Sequence, residues 1–248
     1  MDPMVLDNID IVLVEPRGPG NVGSTARALK NFGMSRLVVV NGPRLNHPQA
    51  TAMAVKAGDL LRSARTTEAL PEAIADATFV IATTAKRRYR LPTLRPREAG
   101  ERIVEQAARG RVAILFGRED HGLDDAELRL AHETIAIETA PGCRALNISQ
   151  AVLLIAYEVW LAAGSRGAVA DSDPGRLITA DMRHRLESEL LDTLKDVGIM
   201  HDGNDIACEQ SIQRLMTLGP MQTRDSRVLF ALARRIRELM RSMDHPDR

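Results

Sequence analysis

The sequence lacks the features of exported, membrane-bound or metal-dependent proteins. Its 248 residues include only two cysteines, Cys143 and Cys208, whose spacing fits neither a metal site nor a disulfide framework. No apolar run approaches the roughly 20 residues that a membrane-spanning helix needs, and the opening Met1-Asp2-Pro3 lacks the positive charge of a secretory signal. HExxH and CxxC patterns are also absent. We therefore expect a cytoplasmic protein with reduced thiols, no membrane segment and metal-independent chemistry.

The sequence also has no excess of positive or negative charge. Lysine plus arginine and aspartate plus glutamate both number 33, which gives a formal net charge of zero. A polyanionic partner would therefore have to be held by a local basic patch. The hydrophobic content of 44% is enough to bury a sizeable core, and the length allows one large domain or a domain with an appendage.

Short apolar runs alternate with helical patterns through the first two thirds of the chain. This alternation predicts an α/β fold with a mainly parallel sheet, whose ligands lie near the carboxyl ends of the strands. The predicted strands are residues 9–14, 37–40, 79–82, 112–116 and 134–137. The predicted helices between and after them are residues 24–31, 47–61, 67–75, 97–109, 124–130 and 148–161.

The last third of the chain has a different character. A stretch rich in glycine, serine and aspartate at residues 166–175 is typical of a linker. It separates a domain at residues 1–165 from a helical extension at residues 176–248, with helices predicted at 181–197, 205–218 and 224–243. About seventy helical residues form a thin core, so we expect the extension to pack on the first domain or on a second subunit.

A glycine-rich loop follows the first predicted strand. Gly18-Pro19-Gly20-Asn21-Val22-Gly23 matches the dinucleotide fingerprint GxGxxG and opens a helix. A nicotinamide-dependent oxidoreductase would also need an acidic residue after the second strand, but that strand runs into Asn41-Gly42-Pro43. The proline in the loop removes a backbone donor as well. A tight turn without any ligand is the plainer interpretation of these glycines.

Three segments in order indicate a family. Residues 21–33 (NVGSTARALKNFG), 114–123 (ILFGREDHGL) and 137–158 (IETAPGCRALNISQAVLLIAYE) together resemble the SpoU, or TrmH, branch of the SPOUT methyltransferases. The Val14-Glu15-Pro16 opening and the helical tail are most similar to its TrmJ group, which modifies the anticodon loop of tRNA. The resemblance implies a parallel α/β sheet with a deep C-terminal trefoil knot, S-adenosylmethionine (SAM) as methyl donor, and a homodimer. It also implies methylation of a ribose 2′-hydroxyl, at nucleotide 32 of tRNA.

The same resemblance implies the catalytic residues. Arg27 of one subunit is expected to face the donor held by its partner, either to help remove the hydroxyl proton or to fix a phosphate and stabilise the alkoxide. Glu119 is the alternative general base or a brace for loop amides. Asn21 either orients Arg27 or the ribose, or only caps its helix. Asn147 and Ser149 belong to a family signature, but they are also typical helix caps.

The donor is expected to be held mainly by loop segments. The family positions that match here are Thr83, Thr84, Ala85, Gly117, Ile137, Arg144, Ala145 and Leu146. Ile137 and Leu146 are expected to sandwich the adenine, although both could be plain core aliphatics. Ala145 departs from the family, because many members have a serine there that is proposed to assist catalysis.

RNA binding needs a basic surface. The one basic run without an acidic residue is Lys86, Arg87, Arg88, Tyr89 and Arg90, in which Tyr89 is expected to stack on a base. A solvated loop is the alternative. The arginines of the last helix (224, 227, 234, 235 and 241) form a second candidate, more typical of an outer helix face. The partner is expected to be tRNA, with rRNA as the alternative substrate and an RNA-binding scaffold without chemistry as the alternative function.

Overall fold

The computed structural model describes residues 3–84, 91–140, 142, 146–165 and 176–244. The chain divides into two compact units, Met1–Ser172 and Asp173–Arg248. The predicted linker at residues 166–175 lies outside the described residues, so its boundaries stay a prediction.

The first unit is built on one sheet whose strand pairings are all parallel. In space the strands follow the order β3-β2-β1-β6-β4-β7-β5. This confirms the predicted α/β class with a parallel sheet. The strands are β1 (Ile9–Val14), β2 (Arg36–Val40), β3 (Arg65–Thr67), β4 (Phe79–Thr84), β5 (Thr93–Leu94), β6 (Val112–Phe116) and β7 (Glu133–Ala136).

Helices connect these strands and cover the sheet. In the first unit they are α1 (Pro3–Leu6), α2 (Pro19–Asn31), α3 (Pro48–Met53), α4 (Gly58–Ser63), α5 (Leu70–Ala73), α6 (Pro96–Ala107), α7 (Asp125–Leu128) and α8 (Ile148–Ser165). The central strands are buried along their whole length, as expected for a sheet covered on both faces. Their core includes Phe79, Phe116 and Ile114, none more than 1% exposed.

Two sequence predictions were wrong in this unit. The helix predicted at residues 47–61 is split into α3 and α4, because the chain turns at Lys56 with a φ of 61°, a left-handed conformation that ends a helix. The helix predicted at 67–75 is reduced to α5, since Thr67 belongs to the short strand β3. Strands of two or three residues, β3 and β5, are too short to give an alternating pattern and were missed.

The second unit is helical in its described part. It contains α9 (Ala180–Asp196), α10 (Asp205–Met216) and α11 (Thr223–Asp244), close to the predicted ranges. Thr179 starts α9 by accepting a hydrogen bond from the Met182 amide at 3.2 Å. Helix α11 packs against α9 with Ala233 buried, whereas Val228 and Leu232 of the predicted apolar stripe are exposed.

The trefoil knot stays a prediction. Residues 141 and 143–145, which belong to the segment that the resemblance would place in the knot, lie outside the described residues.

Candidate active site

Two loops meet at the carboxyl edge of the sheet, between β1 and β6. From β1 the chain moves to β2 and β3 on one side, whereas β6, β4, β7 and β5 lie on the other side. The adjacent carboxyl ends of β1 and β6 therefore form a topological switch point, where ligands of open α/β sheets bind. The pairing of Leu13 with Phe116 brings the loop at residues 15–18 beside the loop at residues 117–123.

Glu119 joins these two loops through three hydrogen bonds. Its Oε1 accepts from Asn21 Nδ2 at 2.6 Å and from the Gly18 amide at 3.5 Å. Its Oε2 accepts from the Arg17 amide at 3.1 Å. A carboxylate has only acceptors and can therefore satisfy several amide donors at once. Glu119 thus fixes the start of α2 against the loop after β6.

The same contacts favour one of the two roles predicted for Glu119. Partial burial raises the pKa of its carboxyl, but the donors from Arg17, Asn21 and Gly18 outweigh this effect and hold the pKa below its ordinary value. A general base for neutral pH works best with a pKa near 7. The geometry and the lowered pKa favour the brace over the base.

Asn21 does not cap its helix. Helix α2 begins at Pro19 with Gly18 as the N-cap residue, so Asn21 lies inside the first turn, and the capping interpretation was wrong. Its side chain instead bridges Glu119 and Asn147, because its Oδ1 accepts from Asn147 Nδ2 at 2.9 Å.

Asn147 both caps α8 and continues this connection. Its Oδ1 accepts from the Ser149 amide at 2.9 Å and from Ser149 Oγ at 2.7 Å, which satisfies free donors at the helix start. A chain of hydrogen bonds therefore runs from Glu119 through Asn21 and Asn147 to Ser149.

The direction of this chain follows from its acceptor-only end. Because ionised Glu119 can only accept, Asn21 must turn its NH2 group toward it and present Oδ1 to Asn147. Asn147 must then present its own NH2 to Asn21 and its oxygen to Ser149, whose hydroxyl donates. Four of the five predicted catalytic residues are thus locked in one orientation.

Arg27 is the fifth, and it does not join the chain. It lies six residues after Asn21 on α2, which places it about 240° around the helix. Its side chain is exposed and makes no hydrogen bond or ion pair within the part of the chain that the structure describes. The guanidinium is therefore free to bind a group outside this subunit.

Three charged residues around the same loop were not predicted as site residues from the sequence. They are Glu15, Arg118 and Glu127. Arg118 donates from Nε to Glu15 at 2.8 Å and binds Glu127 through two bonds of 3.0 Å. Glu127 also accepts from the Asp124 amide at 2.8 Å, and its own amide donates to Asp124. The Asp-x-x-Glu pattern of a capping box was the sequence signal that could have identified Glu127.

Four of the predicted donor-binding residues, Thr83, Thr84, Gly117 and Ile137, lie at the carboxyl ends of three adjacent strands. Thr84 pairs with Ala136, and the pairing of Ala82 with Leu115 makes Thr84 level with Gly117. Ile137 follows directly after β7, and Thr83 Oγ1 donates to the Leu115 carbonyl at 2.9 Å. Ile137 and Leu146 are half-buried, so each has apolar surface available for a flat ring. The partly exposed aliphatics and strand-end backbone groups fit an adenosine-containing cofactor.

Gly117 is required for the fold of the loop at residues 117–123. A Cβ atom at this position would lie 2.2 Å from the Gly122 carbonyl carbon and 2.3 Å from the Leu123 amide nitrogen, distances at which atoms collide. Only glycine lets the chain fold back on itself here. Gly23 has a comparable role, because its Cβ would meet the Ala50 carbonyl oxygen at 2.1 Å.

Several predicted residues lie outside the described ranges. They are Ala85, Arg144 and Ala145 of the donor set and the whole basic run Lys86, Arg87, Arg88, Tyr89 and Arg90. Of the second basic candidate, Arg224 and Arg235 pair with Asp225 and Glu238, as is typical of a solvated face. The side chain of Arg241 is not described.

Two further observations concern metal and membrane. Within residues 3–84, 91–140, 142, 146–165 and 176–244, no three His, Cys, Asp or Glu side chains group as metal ligands would. No helix in these ranges is both long and apolar enough to cross a membrane.

Comparison with known proteins finds a matching family model and similar methyltransferases. The model of the SpoU rRNA Methylase family matches residues 8–157. A tRNA (cytidine/uridine-2′-O-)-methyltransferase TrmJ of Salmonella typhimurium is 36% identical over 229 residues, which cover 91% of this chain and 94% of the relative. The corresponding protein of Escherichia coli O1:K1 / APEC is 35% identical over the same share of this chain.

A solved structure matches most of the chain. TrmJ from Z. mobilis ZM4 superposes with a TM-score of 0.80 at 28% identity, covering 92% of this chain and 98% of that one. The SpoU methyltransferase AviRb from Streptomyces viridochromogenes, solved in complex with AdoMet, has a TM-score of 0.52 at 20% identity and covers 63% of this chain and 61% of its own. At that identity the likeness concerns the fold alone.

Proposed function

The chain belongs to the SpoU rRNA methylase family, as its three sequence segments predicted, and we propose that it methylates the ribose 2′-hydroxyl of cytidine or uridine in tRNA. The observation that carries the proposal is the hydrogen-bond chain from Glu119 to Ser149, which joins all three family segments at one edge of the sheet. Relatives named for this activity match 91% of the chain.

The donor in this proposal is SAM, which when bound supplies an electrophilic methyl carbon. Thr84 and Gly117 stand level at the ends of adjacent strands, and Ile137 lies one residue beyond that level on the next strand. Backbone groups there can hold the adenosine while Ile137 and Leu146 cover the adenine. Ala85, Arg144 and Ala145 complete this set by resemblance. We also propose that the C-terminal part of this unit forms the trefoil knot, and we expect no metal in the reaction.

Arg27 acts on the RNA in this scheme. Bound SAM would supply a methyl group to the ribose 2′-oxygen in exchange for the hydroxyl proton, which would pass to solvent. A guanidinium with a pKa above 12 is a poor base, whereas its five donors suit a phosphate and a developing alkoxide. Glu119 is already occupied by three donors, so it orients Asn21 and takes no part in the proton transfer.

A homodimer is part of the proposal. Leu153, Leu154, Tyr157 and Trp160 of α8 are exposed. Tyr157 and Trp160 stack on each other and lie near Phe32, the residue that follows α2, with ring centroids 5.7 to 6.5 Å apart. An apolar, aromatic face of this kind is typical of an interface core. Covering it with a second copy would bring a neighbouring subunit beside α2, which carries the unpaired Arg27.

Light scattering tests the dimer. We expect the wild type to elute at twice the mass of one chain and Tyr157→Glu with Leu153→Glu to elute as a monomer. A monomeric wild type would contradict this part of the proposal.

The activity is tested by transfer of labelled methyl groups from SAM to bulk tRNA, followed by nuclease digestion. Wild type should produce nuclease-resistant dinucleotides and Arg27→Ala should not. Arg62→Ala, which removes an exposed arginine of α4, is the matched control and should remain active. Sequencing around the resistant bond tests position 32 of the anticodon loop.

Two alternatives are outcomes of the same assay. Label in rRNA and none in tRNA would identify rRNA as the substrate. Binding of SAM and RNA without transfer to either would favour the scaffold, in which Ala145 replaces the serine of many family members. The oxidoreductase alternative predicts binding of NAD instead of SAM in a calorimetric titration, and the lack of an acidic residue after the second strand argues against it.

A further inference from the structure

Arg118 connects three separate pieces of chain at the switch point. Its guanidinium binds Glu15 after β1 and Glu127 in α7, and its Nη1 also donates to the Gly122 carbonyl at 3.5 Å. We call Glu15, Arg118 and Glu127 the carboxylate clamp. Arg118 and Glu127 are largely buried, with 12% and 13% of their side-chain surface exposed, so water competes little for their two parallel bonds.

The clamp is set by the register of the sheet. Because Leu13 pairs with Phe116 and Val14 with Val40, Glu15, Arg118 and Asn41 stand level across β1, β6 and β2. Asn41 Nδ2 donates to Glu15 Oε1 at 3.4 Å. Both Glu15 and Asn41 have positive φ, 46° and 45°.

These backbone conformations need external support. A glutamate in the left-handed region is disfavoured and persists only when its surroundings hold it there. The hydrogen bond from Arg118 holds the pKa of Glu15 below its usual range, as expected for a carboxylate kept ionised by a fixed cation. Arg118 thus binds the side chain of a residue whose backbone is in a disfavoured conformation, and the Glu15 amide donates to the Val40 carbonyl at 2.9 Å.

We propose that Arg118 is a positioning residue that closes the turn at residues 117–123 before the methyl donor binds. Arg118 lies between Gly117, which stands among the proposed donor residues, and Glu119, which anchors Asn21. Closing the turn fixes both neighbours at once, so that the donor pocket and the start of α2 are already in place when ligands arrive. This inference rests on the proposed function only where it concerns SAM.

The chain offers a matched control arginine. Arg102 also bridges two glutamates, Glu133 and Glu105, and is 30% exposed. It lies on α6 and pairs with the first residue of β7, at the amino end of that strand. Arg118→Met and Arg102→Met each remove one bridging guanidinium at similar side-chain length, and only the former lies beside the proposed site.

Amide hydrogen exchange without SAM is the first readout. Arg118→Met should raise exchange at residues 117–123 and at Arg17 and Gly18 at least tenfold, whereas Arg102→Met should leave these amides unchanged. Unchanged exchange in Arg118→Met would overturn the proposal. This result does not depend on any methyltransferase activity.

Calorimetric titration with SAM is the second readout. We expect Arg118→Met to weaken the SAM Kd about tenfold at an unchanged stoichiometry, and Arg118→Lys to recover part of the loss. A purely structural role would lower the stoichiometry, through unfolded protein, and leave the Kd of the folded fraction unchanged. That outcome would also overturn the proposal.

A second variant tests the proposal if the first one misfolds. If Arg118→Met does not fold, Glu15→Gln removes one charge of the clamp at nearly the same shape, and it should raise exchange at 117–123 in the same way. Normal exchange in Glu15→Gln would contradict the inference. A wild type that binds no SAM would instead refute the proposed donor, while the exchange results would still decide the role of Arg118.

Discussion

Replacing Glu119 by alanine tests whether this carboxylate braces the site. The substitution strands the Asn21 amide and the Arg17 backbone amide, which donate to Glu119 at 2.6 and 3.1 Å. Hydrogen bonds to a charged group contribute about 1.5–3 kcal/mol each. Because Glu119 is only half-buried and water can reach the stranded donors, we take the lower value for each bond and expect a loss of about 3 kcal/mol.

The expected loss is large enough to measure by several methods. For a unit of this size, 1 kcal/mol corresponds to about 2–4 °C in Tm, so Glu119→Ala should melt about 6–12 °C lower. Urea unfolding can be followed by the fluorescence of Trp160, which is the single tryptophan of the sequence and lies in α8 of the same unit. Its signal therefore reports on the unit that contains the site.

The neighbouring carboxylate provides the control. Asp120 is exposed and pairs with the Arg17 guanidinium and with His121, and exposed ion pairs contribute little to stability. Asp120→Ala should unfold at the urea concentration of the wild type. If Glu119→Ala and Asp120→Ala unfolded at the same urea concentration, the brace would be wrong and the hydrogen bonds of Glu119 would be energetically irrelevant.

Three further predictions concern the same edge of the sheet. The pKa of Glu119 is lowered in the folded protein, so its contribution to the free energy of unfolding is complete above the unfolded pKa of about 4.3 and is lost as the pH falls through the folded value. The stability difference between wild type and Glu119→Gln should therefore be largest near pH 7 and shrink below about pH 4. A difference that grew in acid would contradict the lowered pKa. Gly117→Ala should lower the free energy of unfolding by about 3 kcal/mol or more, because its Cβ would lie 2.2 Å from Gly122. Gly142→Ala, whose Cβ meets nothing within 4 Å and which lies in the same unit, should be neutral in the same urea titration. Arg27→Lys should keep the wild-type Tm and lower kcat for methyl transfer at least about tenfold, because lysine lacks the planar fork of donors; full activity of this variant in the labelled-methyl assay would reduce Arg27 to a surface charge.

The sequence was a good guide to the site because the family segments lie next to strands. The apolar runs predicted β1 and β6 with their observed bounds, and the segments that follow them contain Asn21 at the start of α2 and Glu119 in the loop after β6. It was a poor guide to short elements, since β3 and β5 contain three residues or fewer and have no period of their own. Residues 47–61 have an unbroken helical pattern, yet Lys56 interrupts the helix.

The roles of individual side chains could not be predicted as well. Asn21 is a typical helix cap by residue type, and only the position of Pro19 as the first helical residue shows that it is not one. The sequence left Glu119 open as a base or a brace, and only its three donors in the folded protein favour the brace. Arg118 and Glu15 are 103 residues apart, and no local pattern predicts such a pair.

The sequence by itself determined the family, the parallel α/β class and the segments from which the site is built, because hydrophobic period and motif order are local properties of the chain. Only the tertiary structure decided which polar atoms meet. Whether a hydrogen bond forms depends on differences of a few tenths of an ångström between donor and acceptor. These distances are set by the sheet register, which places Glu15 beside Arg118 and Glu119 beside the start of α2.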